Sequence, residues 1–366
     1  MPLRRPTLLP GLARAWRGPH TLQLGADSPR AISIDLPDPR VARMLDLLDG
    51  RRTEQAVLTR IAADGSSAED ARVLLNALHA AGFVVPAADL LPPALPEAAR
   101  QRLIGEATVL ALDRQPDRPP PVQILRRRAA SRVLITGTGR LAAPIAVALA
   151  EAGAGQIHAD VSGAVLPSEL PGGPLRLGDV GRPRAEAIAA AVRHAAPQTG
   201  TRAVRRGAAT LVVQLGYGEP AALLAAAHAQ RRQAHLVVAL RDGSVVVGPL
   251  VRPGGGPCLN CLELHRRDRD PGRPGPAGPY PATAEPCAVA TLLAATGYAV
   301  AEALAFLDGG SPATLGVSVE IAAPARTRRR TWAPHPDCRC VRPRRRTGGP
   351  APPERLKAEP SVTMIW

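Results

Sequence analysis

Four of the five cysteines in this 366-residue chain fall into two close pairs. Cys258 and Cys261 stand in PCLNCLELH, and Cys338 and Cys340 stand in HPDCRC. Four thiolates at paired short spacings suit a tetrahedral structural Zn2+, whose closed shell leaves no position for a substrate. Such a clamp would pin the C-terminal segment onto its domain and perform no chemistry of its own. His265 and His335 could substitute as ligands. A redox Cys-x-x-Cys or free buried thiols are the other readings of the same residues.

A second pattern can handle phosphate. In TGTGRLAAP, Gly137, Gly139 and Ala142 give G-x-G-x-x-A after an apolar run, and Asp160 follows 23 residues beyond Gly137. Glycines there let backbone N–H groups approach a pyrophosphate at a helix N-terminus, and the acid can take ribose hydroxyls. Arg140, Arg182 and Arg184 are cations that could reach a phosphate or could be surface charge. The fifth cysteine, Cys287 in EPCAVATLLAATG, is expected just inside a helix N-terminus, where the dipole lowers a thiol pKa; a packing thiol is the alternative.

Composition narrows the chemistry. The formal net charge is +15, yet Lys357 is the only lysine, so no P-loop or kinase-type lysine exists. Residues 326–346 carry nine arginines against Asp337, which reads as a basic, solvated tail. Eight aromatics in the whole chain give no stacking platform for single-stranded nucleic acid. The apolar run Cys287 to Phe306 contains Glu302 and Gly297 and reads as a buried helix, not a membrane span. Arg4–Arg5 is followed by Pro10, Arg14 and Arg17 and leaves no apolar export signal, so a cytoplasmic protein is expected, where paired cysteines favour metal over disulfide.

The elements that must position these residues fall into two groups. Residues 1–90 give short strands at 21–24 and 31–34, three helical stretches ending at Gly50, Gly65 and Gly82, and a closing strand at 83–85. The third helix opens with a capping box, Ser66 with Glu69. That order predicts a small winged-helix-like α+β module. Residues 91–124 predict a Pro-rich linker with one helix at 97–112. Residues 125–345 alternate strand and helix (RVLIT, LAAPIAVALAEAGAG, QIHAD, RPRAEAIAAAVRHAA, ATLVVQL, EPAALLAAAHAQRRQA, HLVVAL), the signature of an α/β domain with a mostly parallel, Rossmann-like sheet. Residues 346–366 form a tail.

Over residues 125–345 the chain resembles the ThiF/MoeB/HesA superfamily, the ubiquitin-activating-like adenylyltransferases. The resemblance rests on G-x-G-x-x-A, on the Cys pairs flanking a long apolar helix, and on GDVGRPRAEAIAAAV, where Arg184 takes the lysine position of the family's Gly-x-Pro-Lys-x-Glu helix start. VVGPLVRPGGGPCLNCLELHRRDRDP is similar to actinobacterial ThiF-like leader-peptide-binding or cyclodehydratase components of azole-forming ribosomal peptide pathways. AWRGPHTLQLG looks like part of the PqqD-like recognition element those proteins carry. The resemblance implies leader-peptide capture by strand addition to an exposed sheet edge, a YcaO-type cyclodehydratase as partner, structural zinc, and dimers, which are common in the family.

The same comparison exposes departures. Active members carry a second acid two residues after the ribose-binding one; here Val161 and Ser162 follow Asp160. They also place an Asp after the fourth strand to hold Mg2+, whereas this strand runs into Gln214–Leu215–Gly216–Tyr217–Gly218, with no acid before Glu219. Adenylation needs a metal to neutralise phosphate charge. The expected function is therefore a leader-peptide-binding scaffold with a degenerate adenylation site. The alternative is an active ATP- and Mg2+-dependent adenylyltransferase acting on a peptide or carrier-protein C-terminus, with Glu219 supplying the metal acid and Cys287 a thioester. A winged-helix DNA binder is disfavoured, because SSAEDARVLLNALHAAG carries only Arg72 and His79 against Glu69 and Asp70.

Overall fold

The computed structural model describes residues 3–26, 31–113, 118–216, 220–272, 286–322 and 326–340. Glu219, the tail at 346–366 and the arginines at 342 and 344–346 lie outside the described residues.

The N-terminal module is built from β1 (Pro6–Leu8), β2 (Arg14–Trp16), β3 (Thr21–Leu24) and β4 (Ile32–Asp35), a 3-10 helix at Pro39–Leu47, then α1 (Glu54–Ala63), α2 (Ala68–Ala80) and β5 (Val84–Pro86). β2, β3 and β4 pair as an antiparallel meander, and β1 pairs with β5. Leu8, Leu24, Met44, Leu75 and Phe83 meet between these elements in one apolar cluster. Three details depart from expectation. β1 and β2 precede the two expected strands; at three residues each they carry too little periodicity to be read. The first helical stretch is 3-10, started by Pro39 and capped by Asp38, whose carboxylate accepts the Arg40 N–H at 2.9 Å. The cap of α2 is Ser67, not Ser66: its hydroxyl accepts the Asp70 N–H at 3.1 Å.

Three helices lead to the second domain: α3 (Ala87–Leu90), α4 (Glu97–Leu112), which covers the expected span, and α5 (Pro121–Ala130), which runs through the expected boundary at 124/125. Arg128 on α5 is buried. Its guanidinium meets the Asp308 carboxylate at 2.7 and 2.8 Å and Glu106 of α4 at 2.7 Å, which fastens these helices to the domain that follows.

That domain runs β6 (Arg132–Gly137), α6 (Ala142–Glu151), β7 (Gln156–Val161), α7 (Arg184–Ala195), β8 (Leu211–Leu215), α8 (Ala221–Gln230), β9 (His235–Arg241), β10 (Ser244–Val251), α9 (Leu259–Arg269), α10 (Val289–Leu307), β11 (Val317–Ala322) and β12 (Arg326–Thr331). The seven-stranded sheet has the order β12-β11-β10-β9-β8-β6-β7. β7, β6, β8 and β9 are parallel, and β10 to β12 extend them as an antiparallel half. Beyond β7 the chain at Gly200 makes a single parallel bridge to Gln156, a third Rossmann strand reduced to one contact. The chain then crosses to β8, and the topological switch point falls between β6 and β8.

One face of the sheet packs α6, α7 and α10 through Val133, Ile135, Ile145, Leu149, Ile188 and Ala299. Each such fully buried Leu, Ile or Val contributes about 1.5–3 kcal/mol. The opposite face carries α8 and the start of α9 over Val237, with His228 of α8 stacked on His235 of β9, ring centroids 4.0 Å apart. Among the described residues, α10 alone is long and apolar enough to cross a membrane. Here it lies against the sheet with Ala295, Ala299 and Ala303 fully buried, and Glu302 within it accepts both the N–H (2.7 Å) and hydroxyl (2.6 Å) of Thr314.

The first part of the arginine run is not tail. Residues 326–331 are the edge strand β12, paired in register with β11 from Val317–Thr331 to Ala322–Arg326. An outer strand needs no apolar face, so its composition concealed it.

Candidate functional site

The four paired cysteines converge. Cys258 precedes α9, Cys261 lies in its first turn, and the segment after β12 returns Cys338 and Cys340 to them. Sulfur–sulfur separations are 3.8 Å for Cys258–Cys261, 3.5 Å for Cys258–Cys338 and 3.2 Å for Cys261–Cys340. A Zn2+ with Zn–S bonds of about 2.3 Å needs sulfurs about 3.8 Å apart, so small adjustments would seat the ion. Burial pushes the Cys258 thiol up to about 11 and raises Cys340 as well. Burial opposes ionisation of Cys338 too, but the Cys340 N–H, the Asn260 amide and the neighbouring thiols draw it down to about 7. Four such thiols ionise together only around a cation. His265 and His335 stand beside the cluster with other partners: His265 meets the Ala333 carbonyl at 3.0 Å and His335 the Asp268 carboxylate at 2.8 Å.

The glycine loop has the geometry its sequence predicts. Gly137 and Gly139 adopt φ of +108° and +126°, and α6 begins at Ala142 with no side-chain cap on its N–H groups. A Cβ on Gly137 would sit 2.0 Å from the Leu215 carbonyl oxygen of β8, so the glycine is required by strand packing as well as by any ligand. The polar groups around the loop are already engaged. Asp160 at the end of β7 meets Arg206 at 3.4 Å. Arg140 donates to the carbonyls of Pro171 (2.8 Å) and Cys287 (3.4 Å). Arg182 pairs with Asp179 at 2.6 Å. Arg184 is clasped by the buried Glu169 through Nη2 (2.7 Å) and Nε (3.0 Å), and also donates to the carbonyls of Ala164 and Ser162. Gln214, at the end of β8, is buried and donates to the Leu215 carbonyl.

Cys287 stands two residues before the first residue of α10, outside the helix rather than just inside it. Its carbonyl is tied to Arg140, and its side chain packs partly against the core.

A third site was only half visible in the sequence. Between β2 and the 3-10 helix lies a cleft of about 410 Å3, lined by Arg14, Trp16, Leu22, Arg40, Arg43 and Leu45 among others. Trp16 is 49% exposed. Gly25 N donates to the Ala13 carbonyl and Arg17 N to the Thr21 carbonyl. In an antiparallel pair this alternation turns the peptide groups of Arg14 and Trp16 away from β3, toward an open edge beside the cleft. Arg14 pairs with Asp46 (2.6 Å) and Arg40 with Asp38 (3.1 Å), while Arg43 has no ion pair among the described residues.

No family model matches the chain, and no curated protein matches it in sequence. Solved structures do match in fold. E. coli MccB bound to ATP superposes with a TM-score of 0.61 at 16% identity, over 92% of this chain and 99% of that one. E. coli MccB with AMPCPP and MccA gives 0.61 at 15%, over 91% and 98%. PaaA gives 0.61 at 15%, over 88% and 98%. MccB is a microcin C7 biosynthetic enzyme, also solved with N-formylated MccA. At these identities the likeness shows the fold: a mixed α/β architecture with a mostly parallel central sheet, like that of MccB.

Proposed function

We propose that this chain is a ThiF-like peptide-binding component of a ribosomal peptide pathway. Its N-terminal module, read as winged-helix-like and PqqD-like, captures a precursor's leader, and the α/β domain presents the rest of the peptide to a partner enzyme. The observation that carries this reading is the open edge of β2 above a cleft with an exposed Trp16. An extended peptide could add there as a strand while its side chains fill the cleft. MccB structures that contain MccA support a peptide as the ligand. A YcaO-type cyclodehydratase is the partner that the sequence resemblance favours. The four thiols hold structural Zn2+ in this reading, consistent with a reducing cytoplasm.

The engaged polar groups at the glycine loop favour a retired adenylation site: a bound nucleotide would have to displace Arg206 from Asp160 and Glu169 from Arg184. One observation favours the alternative, an active adenylyltransferase. The loop backbone and uncapped α6 N-terminus keep a phosphate-binding geometry, and MccB has been solved with ATP. ATP–pyrophosphate exchange with Mg2+, alongside calorimetry with ATP and with a candidate precursor peptide, separates the two. Peptide binding without exchange supports the scaffold; exchange above background overturns it in favour of the adenylyltransferase.

A further inference from the structure

The arginines of the C-terminal hairpin are placed more specifically than a solvated run of charge. β12 is the outermost strand of its sheet among the described residues. Trp332 N donates to the Gly316 carbonyl. Continuing that pattern along the register makes Arg330–Ser318 and Arg328–Glu320 hydrogen-bonded pairs, so the peptide groups of Thr327, Arg329 and Thr331 face the open edge.

The side chains of Arg328 and Arg330 share one face of the hairpin by the two-residue period of a strand. On the adjoining surface three guanidinium carbons stand around the ring of Trp332: Arg330 at 5.4 Å, Arg269 at 5.5 Å and Arg266 at 5.7 Å. Trp332 is only 5% exposed and spends its indole N–H on Ser318, so it serves as a floor for cations and not as a stacking platform for bases.

Counter-charge is scarce. Glu263 serves both Arg266 (3.8 Å) and Arg267 (3.5 Å). Glu320 lies opposite Arg328 but accepts a hydrogen bond from Ser244. Arg269, Arg328 and Arg330 have no ion pair among the described residues. Burial first, then the charges of Arg269, Arg328 and Arg266, hold the Arg330 guanidinium below its usual pKa, against the opposing charge of Glu320.

We propose that the β12 edge and the Arg266–Arg269–Arg328–Arg330 cluster form a docking strip for an extended acidic segment of a partner polypeptide. The open edge presents N–H donors and C=O acceptors in alternation, which a peptide backbone matches and a phosphodiester backbone, with acceptors only, does not. Carboxylates at alternate positions of the added strand, about 6.8 Å apart, would meet Arg328 and Arg330 on one face. This strip is separate from the β2 cleft and does not depend on it.

The test uses the full chain and a fluorescein-labelled peptide of six Glu-Thr repeats, read by anisotropy. R328E/R330E should weaken binding about tenfold or more. The charge-matched R202E/R205E, at two exposed arginines of the segment before β8, should change it less than about twofold. R328Q/R330Q, which removes charge without reversing it, should show the same direction if the reversed pair disturbs the hairpin. A peptide of identical charge, N-methylated at every second residue, should lose the affinity that depends on the edge. Equal weakening by both charge-reversed variants, or weakening by R202E/R205E alone, would overturn the proposal. So would tighter binding of a 20-base-pair DNA duplex through the same arginines.

Discussion

Glu169 grips Arg184 through Nε and Nη2 at the position where the family resemblance puts a lysine. The pair is nearly buried, with side-chain exposures of 14% for Arg184 and 9% for Glu169. Its cation is therefore part of the scaffold. E169A should cost about 3 kcal/mol, because it leaves a guanidinium buried without its carboxylate. E169A/R184L should recover much of that loss. Urea unfolding of the three proteins measures both, and calorimetry should show no ATP binding gained by E169A.

Gly137 supplies a second check on the glycine loop. If the motif is kept for strand packing, G137A should destabilise the protein by about 3 kcal/mol or more even without nucleotide, from the clash with Leu215 and the strained φ. A variant with normal stability would show that the glycine serves a ligand alone.

The stacked histidines make stability depend on pH. Burial, then the neighbouring His235, Arg206 and Arg231, lower His228 to about 3; burial lowers His235 to about 4 against a weaker opposing bond to the Gln233 carbonyl. Both folded values lie below the unfolded value near 6.5, so below that pH the unfolded chain binds more protons. Stability should hold above about pH 6.5 and fall toward pH 4, approaching about 1.4 kcal/mol per pH unit for each ring. H235F should flatten the profile, measured as urea midpoints from pH 7.5 to 4.5.

Metal content tests the thiol cluster. The purified protein should carry one equivalent of zinc by elemental analysis, and C261S, at a fully buried ligand, should carry little and unfold at lower temperature. C287S should retain the metal. Loss of zinc in C287S, or full zinc in C261S, would refute the assignment.

The parallel half of the sheet was legible because strands buried on both faces read as short apolar runs, and α4 because Pro96 and the 113–123 break bracket it. The four thiols were legible because close spacing within each pair marks a half-site. The Asp160–Arg206 and Arg184–Glu169 pairs were not, since they join residues 46 and 15 apart with no local pattern. Two adjacent serines, each followed three residues later by an acid, offered two registers for the α2 cap, and only the fold selects Ser67. The winged-helix order was read from elements long enough to show a period, and so omitted β1 and the β2 edge on which the proposed function rests.

The Cys258–Cys338 junction spans 80 residues of chain, and α10 and the β11–β12 hairpin lie inside that span. A bound metal would make this a closed ring, and a cross-link of that size restricts the unfolded chain by about 4 kcal/mol. The restriction acts on α9, α10 and the β11–β12 hairpin, since β6 to β10 lie outside the ring. With the ring cut, that segment can detach as a unit while β6 to β10 stay paired. Proteases would then meet α10 and the hairpin first, so the lifetime of the chain in a cell would follow its zinc supply.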